Sequence, residues 1–294
     1  MRLLLLILSV LLAITAARAS DEPPRVPAGR HPGGVIVALF DTGVNYTLPE
    51  IAARLARDGE GDLVGWDFET NSLRPFDRRP GDPRPKPQRH GTTVASIVIR
   101  EAPAASLMPL RYRANDPMSF ARMVGFVAQS PARIVAMPLG GPRKDDWEPF
   151  RRAALLARNV LFIVSAGNDG RDIDAQPIYP AGFGLPNVLV VAATDAFGRF
   201  TPEANWGAKT VDIATPAERI EALTFEGART QASGSSFAVP RIAALAARLL
   251  AAEPKLDAVA LKARIISFAG ANPGERTPRT RHGWIPDPSR PARP

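Results

Sequence analysis

Residues 35–43 run Val-Ile-Val-Ala-Leu-Phe-Asp-Thr-Gly, so six consecutive apolar side chains end at an acidic residue and a turn. A continuous apolar run of this kind is typical of a strand buried on both faces of a parallel sheet. Further apolar runs follow at 106–110, 134–139, 160–165 and 188–193, with stretches of helical composition between them. This alternation predicts an α/β fold of three layers: a doubly wound, mostly parallel sheet with helices on both faces.

Helical composition marks six segments between and after these runs. The longest is rich in Ala and Leu, which predicts burial on most sides, and its Pro240 falls in the first turn, where a missing N–H costs nothing. Residues 67–89 are rich in proline and lack periodicity, so we expect a loop there. The helices are expected at 49–56, 91–99, 118–129, 147–158, 237–252 and 256–268.

The N-terminus predicts export. Met1 and Arg2 give a short positive start, an apolar run follows, and small residues flank Arg18, as a signal peptidase requires. The apolar run is too short to span a membrane comfortably, so we expect cleavage after Ala19. The mature protein is expected to be a monomer in the periplasm or the medium. No later stretch of the sequence predicts a membrane span.

The chain of 294 residues has no internal repeat, and no linker divides its central part. That length allows one large domain or two ordinary ones. Composition favours four parts: a signal peptide at 1–19, an extended lead-in at 20–34, one folded domain at 35–270, and a disordered Pro/Arg-rich tail at 271–294.

Charge and cysteine content exclude several classes of function. The formal charge is +8 at pH 7, and five of the arginines lie in the 271–294 tail. A solvated basic tail explains this excess, since no aromatic-interleaved basic stripe is present, and we expect no nucleic-acid partner. The chain has no cysteine, which excludes a thiol nucleophile, a thiolate metal site and a disulfide framework.

Three segments place a reactive side chain at the edge of an apolar element. Asp41 ends the first predicted strand, and sites in open α/β sheets form outside the carboxyl ends of strands. His90 starts a predicted helix, whereas the other two histidines lie in flanking segments rich in proline and glycine. Ser236 opens the buried helix, among free backbone N–H groups and the positive end of the helix dipole. Each could instead be a turn residue or a helix cap, so none alone decides the chemistry.

Together these segments resemble the subtilisin-like serine proteases, or subtilases. The family's aspartate motif, Asp-Ser/Thr-Gly after an apolar strand, matches residues 41–43, and its histidine motif, His-Gly-Thr-x-Val-Ala, matches residues 90–95. Its serine motif, Gly-Thr-Ser-Met-Ala-x-Pro, matches residues 234–240, with Ser235 for Thr and Phe237 for Met. The order Asp, His, Ser along the chain is that of subtilisin. The resemblance covers roughly residues 35–270.

The resemblance implies a serine endopeptidase that hydrolyses peptide bonds through an acyl-enzyme. Asp41, His90 and Ser236 would form the catalytic triad, and Asn168 would complete the oxyanion hole. The expected substrate is a peptide or protein that adds a strand along residues 137–141 by main-chain hydrogen bonds. The implied substrate-binding residues are Met137, Pro138, Leu139, Gly140, Gly141, Ala166, Gly167 and Ile178.

Departures from the family pattern bear on specificity and folding. Pro138 stands where the family often has serine, which removes one N–H donor from the substrate strand but keeps its carbonyl. Ile178 stands where relatives often carry a small residue, which predicts a shallow main specificity pocket that prefers small side chains. The stretch from Ala19 to Val35 leaves no room for the inhibitory prodomain of many secreted relatives. No cofactor is implied, and the family's calcium sites cannot be placed: solvated loop carboxylates explain Asp62, Asp67, Asp77 and Asp82.

Three other interpretations compete with this one. A subtilase-fold protein with little turnover, acting as an exported peptide-binding or chaperone-like protein, would explain the missing prodomain, although all four catalytic positions are present. An aspartic protease would need a second Asp-Thr-Gly, or a dimer, and an all-β fold. An α/β-hydrolase esterase would need Gly-x-Ser-x-Gly, where this chain has Ala238, and a histidine after the serine, where it has only His282 in the tail.

Overall fold

A computed structural model describes residues 22–77, 89–274 and 277–290. Its main sheet consists of β1 (Ile36–Asp41), β2 (Trp66–Asp67), β3 (Ser106–Arg111), β4 (Ile134–Met137), β5 (Leu161–Ser165), β6 (Val188–Thr194) and β7 (Ile213–Pro216). The strand order is β2-β3-β1-β4-β5-β6-β7, and neighbouring strands pair in parallel. The predicted doubly wound, mostly parallel sheet is therefore confirmed, with β1 near its centre.

Alternate side chains of β1 face two separate cores. Val37 and Leu39 pack into the core on one face of the sheet, whereas Ala38 and Phe40 pack into the core on the other. All four are at most 1% exposed. Burial on both faces explains why this strand is continuously apolar instead of alternating.

The helices divide between the two faces. Val239 of α5 and Val94 of α2 lie in the first core, and Met123 of α3 and Phe150 of α4 lie in the second. This arrangement gives the three layers that the sequence predicted. The helices are α1 (Pro49–Ala52), α2 (His90–Glu101), α3 (Pro117–Ala128), α4 (Lys144–Leu156), α5 (Ser235–Ala252) and α6 (Ala258–Ile266).

Helix α1 is shorter than the predicted 49–56. The chain leaves the helix after Ala52 because residues 55 and 56 join the edge of β3: Leu55 forms a bridge with Leu107, and the Ala56 N–H donates to Leu107 O at 2.7 Å. Long-range pairing here overrides local helix propensity.

Helix α5 crosses the centre of the domain. It packs against α2 and α6 and against β4, β5 and β6. By length and apolar composition it passes the test for a membrane-spanning helix, although no segment after the signal peptide was predicted to do so. In the folded chain, however, 72% of its most apolar window is buried inside the protein, as in the core helix of a globular domain.

A two-stranded antiparallel hairpin, β8 (Ile220–Leu223) and β9 (Arg229–Ala232), was not predicted. Its strands have only four residues each, too few for a clear alternation, and its turn contains Gly227 at a φ of 83°. The hairpin packs on α2 through Ala222 and Ala232, which contact Ile97.

The prediction of disorder from residue 271 onward is wrong for residues 277–290. Trp284 exchanges backbone hydrogen bonds with Gly270, at 2.8 and 2.9 Å, and the following Ile285 N–H donates to Ala214 O of β7 at 2.9 Å. Trp284 and Ile285 are only 7% and 4% exposed. These two apolar side chains are buried against the domain, and this part of the chain is ordered. The average composition of the stretch, which is dominated by Pro and Arg, did not indicate it.

Candidate active site

Asp41 and His90 meet at the carboxyl edge of the sheet. Asp41 is the last residue of β1 and is 1% exposed, and His90 is the first residue of α2 and is half-buried. The Nδ1 atom of His90 lies 3.0 and 2.9 Å from the two carboxylate oxygens of Asp41. The Thr42 N–H donates to Asp41 Oδ1 at 2.7 Å, which holds the carboxylate in place.

The electrostatics of this pair favour a charged imidazole. Burial of His90 disfavours its protonated form and lowers its pKa, but the negative charge of Asp41 and its hydrogen bond to the ring raise it. The net result is a His90 pKa above the ordinary value. An imidazole held this way can take up a proton and keep it through a reaction step.

Ser236 lies in the first turn of α5, two residues after Gly234, whose φ of 123° only glycine adopts readily. The next side chain, Phe237, places its ring 5.4 Å from the His90 ring, centroid to centroid. The hydroxyl of Ser236 lies 3.5 Å from Pro138 O, at the limit of a hydrogen bond. No hydrogen bond joins Ser236 Oγ to His90 in the described part of the chain.

Asn168 lies beside the start of α5, in the loop after β5. Its Oδ1 accepts a hydrogen bond from the Ser235 N–H at 2.8 Å, which leaves the Nδ2 group, the donor half of the amide, for another acceptor. Asn168 is exposed. The side chain of Asn205 stabilises this loop, because its Oδ1 accepts hydrogen bonds from the N–H groups of Asp169 and Arg171 at 2.9 and 3.1 Å.

The predicted substrate strand continues beyond β4, which ends at Met137. Gly141 and Tyr179 exchange two backbone hydrogen bonds of 2.8 Å, so residues 138–141 are pinned at one end. Ile178 lies between two backbone segments: its Cδ1 would be 3.0 Å from a Cβ on Gly167 and 3.8 Å from one on Gly140. Ile178 is 4% exposed and fills the space between Gly140 and Gly167, the residue before Asn168.

Sequence reasoning missed the role of a second carboxylate behind the Asp41–His90 pair. Asp77 is fully buried and contacts Thr42 and Thr92, the residues just after Asp41 and just after Gly91. The available signal was the pair of threonines, whose hydroxyls need an acceptor once they are buried. The proline-rich stretch that follows Asp77 hid which carboxylate would supply it.

No metal site emerges from the described residues, among which no group of three or more His, Cys, Asp or Glu side chains is arranged so that it could hold a metal ion. Asp67 accepts from the N–H groups of Glu69 and Thr70 and pairs with Arg111 at 3.1 Å, and Asp77 is used by the two threonines. Asp62 is exposed, with its own N–H donating to Asp58. Asp82 lies outside the described residues.

Comparisons with known proteins identify the family of the chain. The family model described as the subtilase family matches residues 33–284. The cell wall-associated protease of Bacillus subtilis (strain 168) is 28% identical over 82% of this chain. Thermitase of Thermoactinomyces vulgaris is 26% identical over 74% of it, and the cuticle-degrading protease of Metarhizium anisopliae is 36% identical over 81%. The matched regions span 27%, 75% and 59% of those three proteins.

Solved structures share the fold. A cold adapted subtilisin-like serine proteinase, 25% identical, superposes with a TM-score of 0.69 over 89% of this chain and 91% of that one. A mutant of the protease domain of PatA, 24% identical, superposes with the same score over 88% and 93%. The chain belongs to the subtilase family, the serine-type endopeptidases whose fold and motifs it carries.

Proposed function

We propose that this protein is a serine endopeptidase that cleaves peptide or protein substrates through an acyl-enzyme. The proposal is supported by three contacts at the carboxyl edge of the sheet. His90 meets Asp41, the ring of Phe237, next to Ser236, lies against the His90 ring, and Asn168 accepts from the N–H of Ser235, the residue before Ser236. The Asp41–His90 contact has the orientation that a general base needs, because Nδ1 faces the carboxylate and Nε2 is left to face a nucleophile.

In the proposed reaction the hydroxyl of Ser236 attacks the carbonyl carbon of the peptide bond, and His90 takes the hydroxyl proton. The tetrahedral intermediate collapses, the C–N bond breaks, and His90 gives the proton to the leaving amine. Water then attacks the acyl-enzyme, again with His90 as base, and releases the acid and free Ser236. Asp41 stays ionised and stabilises the imidazolium in both steps.

Two donors are proposed to stabilise the oxyanion. One is Asn168 Nδ2, which the Ser235 N–H orients by occupying Oδ1. The other is the backbone N–H of Ser236, because the first N–H groups of a helix have no partner within it. The positive end of the α5 dipole adds to the same stabilisation.

The substrate is proposed to lie extended along residues 138–141, with one side chain directed toward Ile178. Since Ile178 fills the gap between Gly140 and Gly167, small side chains are expected there. We also propose export after signal cleavage and action as a monomer outside the cytoplasm. The N-terminal residues 1–21, which contain the predicted signal peptide, lie outside the described residues.

The test is turnover of an unfolded protein substrate by wild type and by Ser236→Ala, with Ser233→Ala as the matched neighbour. Ser233 is an exposed serine three residues away whose hydroxyl accepts from the Arg219 N–H. Cleavage by wild type and S233A, together with none by S236A, is expected. Binding of the unfolded substrate without cleavage by any of the three would favour the peptide-binding alternative.

A further inference from the structure

Asp77 joins the two segments that carry Asp41 and His90. Its Oδ2 accepts hydrogen bonds from the Thr92 N–H at 2.7 Å and from the Thr92 hydroxyl at 2.5 Å. Its Oδ1 is in short contact with the Thr42 hydroxyl. Both threonines have a second contact: Thr42 Oγ1 lies 3.2 Å from Asp41 Oδ1, and Thr92 Oγ1 accepts from the Asn45 N–H at 2.9 Å.

The protons in this network are one too few if Asp77 is ionised. The Thr92 hydroxyl uses its single proton on Asp77 Oδ2. The Thr42 oxygen accepts from the Gly91 N–H at 3.0 Å and faces two carboxylate oxygens, one of Asp77 and one of Asp41, with a single proton of its own. A hydroxyl donates one hydrogen bond, so one of those two contacts would bring lone pairs together.

A proton on Asp77 Oδ1 completes every contact. Asp77 then donates to Thr42 Oγ1, and the Thr42 hydroxyl donates to Asp41 Oδ1. The extra proton does not fit on Asp41, because Asp41 Oδ1 already accepts from the Thr42 N–H at 2.7 Å and both Asp41 oxygens face His90 Nδ1.

We propose that Asp77 is a protonated positioning residue, a buried carboxylic acid that passes a hydrogen bond through the Thr42 hydroxyl to Asp41. It touches neither substrate nor reacting atoms. It acts by fixing the Asp41 carboxylate and the start of α2 in one arrangement while adding no negative charge beside them. The catalytic consequence rests on the proposed function, whereas the protonation state does not.

The surroundings of Asp77 support this state. The pKa of Asp77 is raised to about 7: burial raises it most, the hydrogen bonds from Thr42 and Thr92 lower it, and the charge of Asp41 adds a smaller increase. The charged groups that face it among the described residues are Asp41 at the end of β1 and His90 at the start of α2. Arg74, on the same loop as Asp77, is paired instead with Glu22 at the surface.

Two substitutions separate the neutral acid from the ionised carboxylate. In Asp77→Asn the amide N–H can donate to Thr42 while the amide oxygen accepts from Thr92, so the variant mimics the protonated acid. In Asp77→Ala both threonines lose their partner. Leaving a buried polar group without a partner lowers the equilibrium constant for the native arrangement by a factor of about 5 to 150. At pH 6 we expect kcat/KM of D77N to stay within about threefold of wild type and that of D77A to fall by about 10-fold or more. An equal loss in both variants would overturn the proposal.

A second readout does not depend on catalysis. Infrared difference spectra of Ser236→Ala against Ser236→Ala/Asp77→Asn, both inert to self-cleavage, are expected to show the carbonyl stretch of one protonated carboxyl group at pH 6. The band should vanish as the pH rises through neutrality. Its absence at pH 6 would contradict the proposal even if D77A failed to fold, and its presence would stand even if the protein proved to be a binding protein.

The relay itself is tested at Thr42. Thr42→Ser keeps the hydroxyl, whereas Thr42→Val removes it at nearly the same volume. We expect T42S to have the wild-type pH profile of kcat/KM and T42V to have a shifted acid limb, because Asp41 loses a donor and its charge and hydrogen bond are what raise the pKa of His90. Identical pH profiles in T42S and T42V would show that no hydrogen bond passes through this hydroxyl to Asp41.

Discussion

The two halves of the site are built differently. Asp41 and His90 lie in a network of short hydrogen bonds around buried carboxylates, which ties β1 to the start of α2. Ser236 and Asn168, in contrast, are partly or fully exposed, and the Ser236 hydroxyl makes a long contact with Pro138 O.

This difference fits the roles that we propose for the two halves. A charged pair works through dipoles fixed before the reaction, since reorganising them during the step would cost free energy. A nucleophile can be aligned late, and catalytic hydrogen bonds in free enzymes are often long and tighten only when substrate binds. The Asp41–His90 half is thus complete in the free protein, and we expect peptide binding to complete the Ser236–Asn168 half.

The largest expected effect on kcat comes from a substitution in the Asp41–His90 half. Asp41→Asn keeps the size of the side chain but presents an amide donor to His90, which favours the wrong tautomer. We expect kcat to fall by about 10⁴-fold. Steady-state kinetics on a peptide substrate, with circular dichroism to confirm folding, measure it. A loss below about tenfold would mean that Asp41 does not orient the base.

A smaller loss of kcat is expected from a substitution in the Ser236–Asn168 half. Asn168→Gly removes one oxyanion donor, which should lower kcat by about 10²–10³-fold and leave KM nearly unchanged. Asn71→Gly, another exposed loop asparagine, serves as the matched control. Equal turnover in N168G and N71G would remove Asn168 from the mechanism.

Next in size is a change of specificity. Ile178→Gly empties the space between Gly140 and Gly167, so kcat/KM for substrates with a large residue before the cleaved bond should rise by about 10–200-fold relative to small ones. Ile178→Val removes only one of the four side-chain carbons that Ile178→Gly removes, so it should shift the ratio by less. A wild type that already prefers bulky aromatic residues would refute this assignment of the pocket.

A smaller change is expected in the pH profile of kcat/KM. His90 must be neutral to accept the serine proton, and its pKa is raised by Asp41, so kcat/KM is expected to fall below a pH higher than the ordinary histidine pKa. In D41N residual activity should persist to lower pH. The pH profiles of the two proteins measure the shift, and an acid limb at the same pH in both would show that Asp41 does not raise the pKa of His90.

The last expected effect is on stability, not on catalysis. Asp77 has a pKa of about 7 in the folded chain, above its value when unfolded, so the folded state binds more protons between those values. Stability is therefore lost as pH rises through this window, by the linkage of protonation to folding. D77N lacks this titrating group. We therefore compare the free energy of unfolding of Ser236→Ala/Asp77→Asn with that of Ser236→Ala, and expect the difference to change in favour of the double variant as pH rises from about 4 to about 7. A constant difference in urea unfolding would contradict the raised pKa.

Strong local patterns made the sheet and the motif residues predictable. The apolar run that ends at Asp41 determines a strand buried on both faces, and a strand end of this kind places its last side chain at the sheet edge. His90 and Ser236 each begin a helix, so their places at the edge follow from the βα alternation.

What sequence could not supply depends on long-range contacts. Asp77 looked like one of several loop carboxylates, and only the fold shows that its partners are Thr42 and Thr92. Trp284 lies in a stretch whose composition indicates disorder, yet it pairs with Gly270 beside β7. In both cases one residue outweighs the average of its neighbourhood, and local averages carry no information about which distant segment it will meet.

The most direct test of the central claim, that His90 activates Ser236, is the site of covalent modification by a fluorophosphonate. Peptide mapping by mass spectrometry after treatment of wild type and His90→Ala compares them at equal protein concentration. We predict one phosphonyl adduct, on Ser236 and not on the adjacent Ser235, in wild type, with labelling of H90A slower by at least the factor of about 10² that a general base contributes. Equal labelling rates in the two proteins, or an adduct elsewhere, would contradict the account.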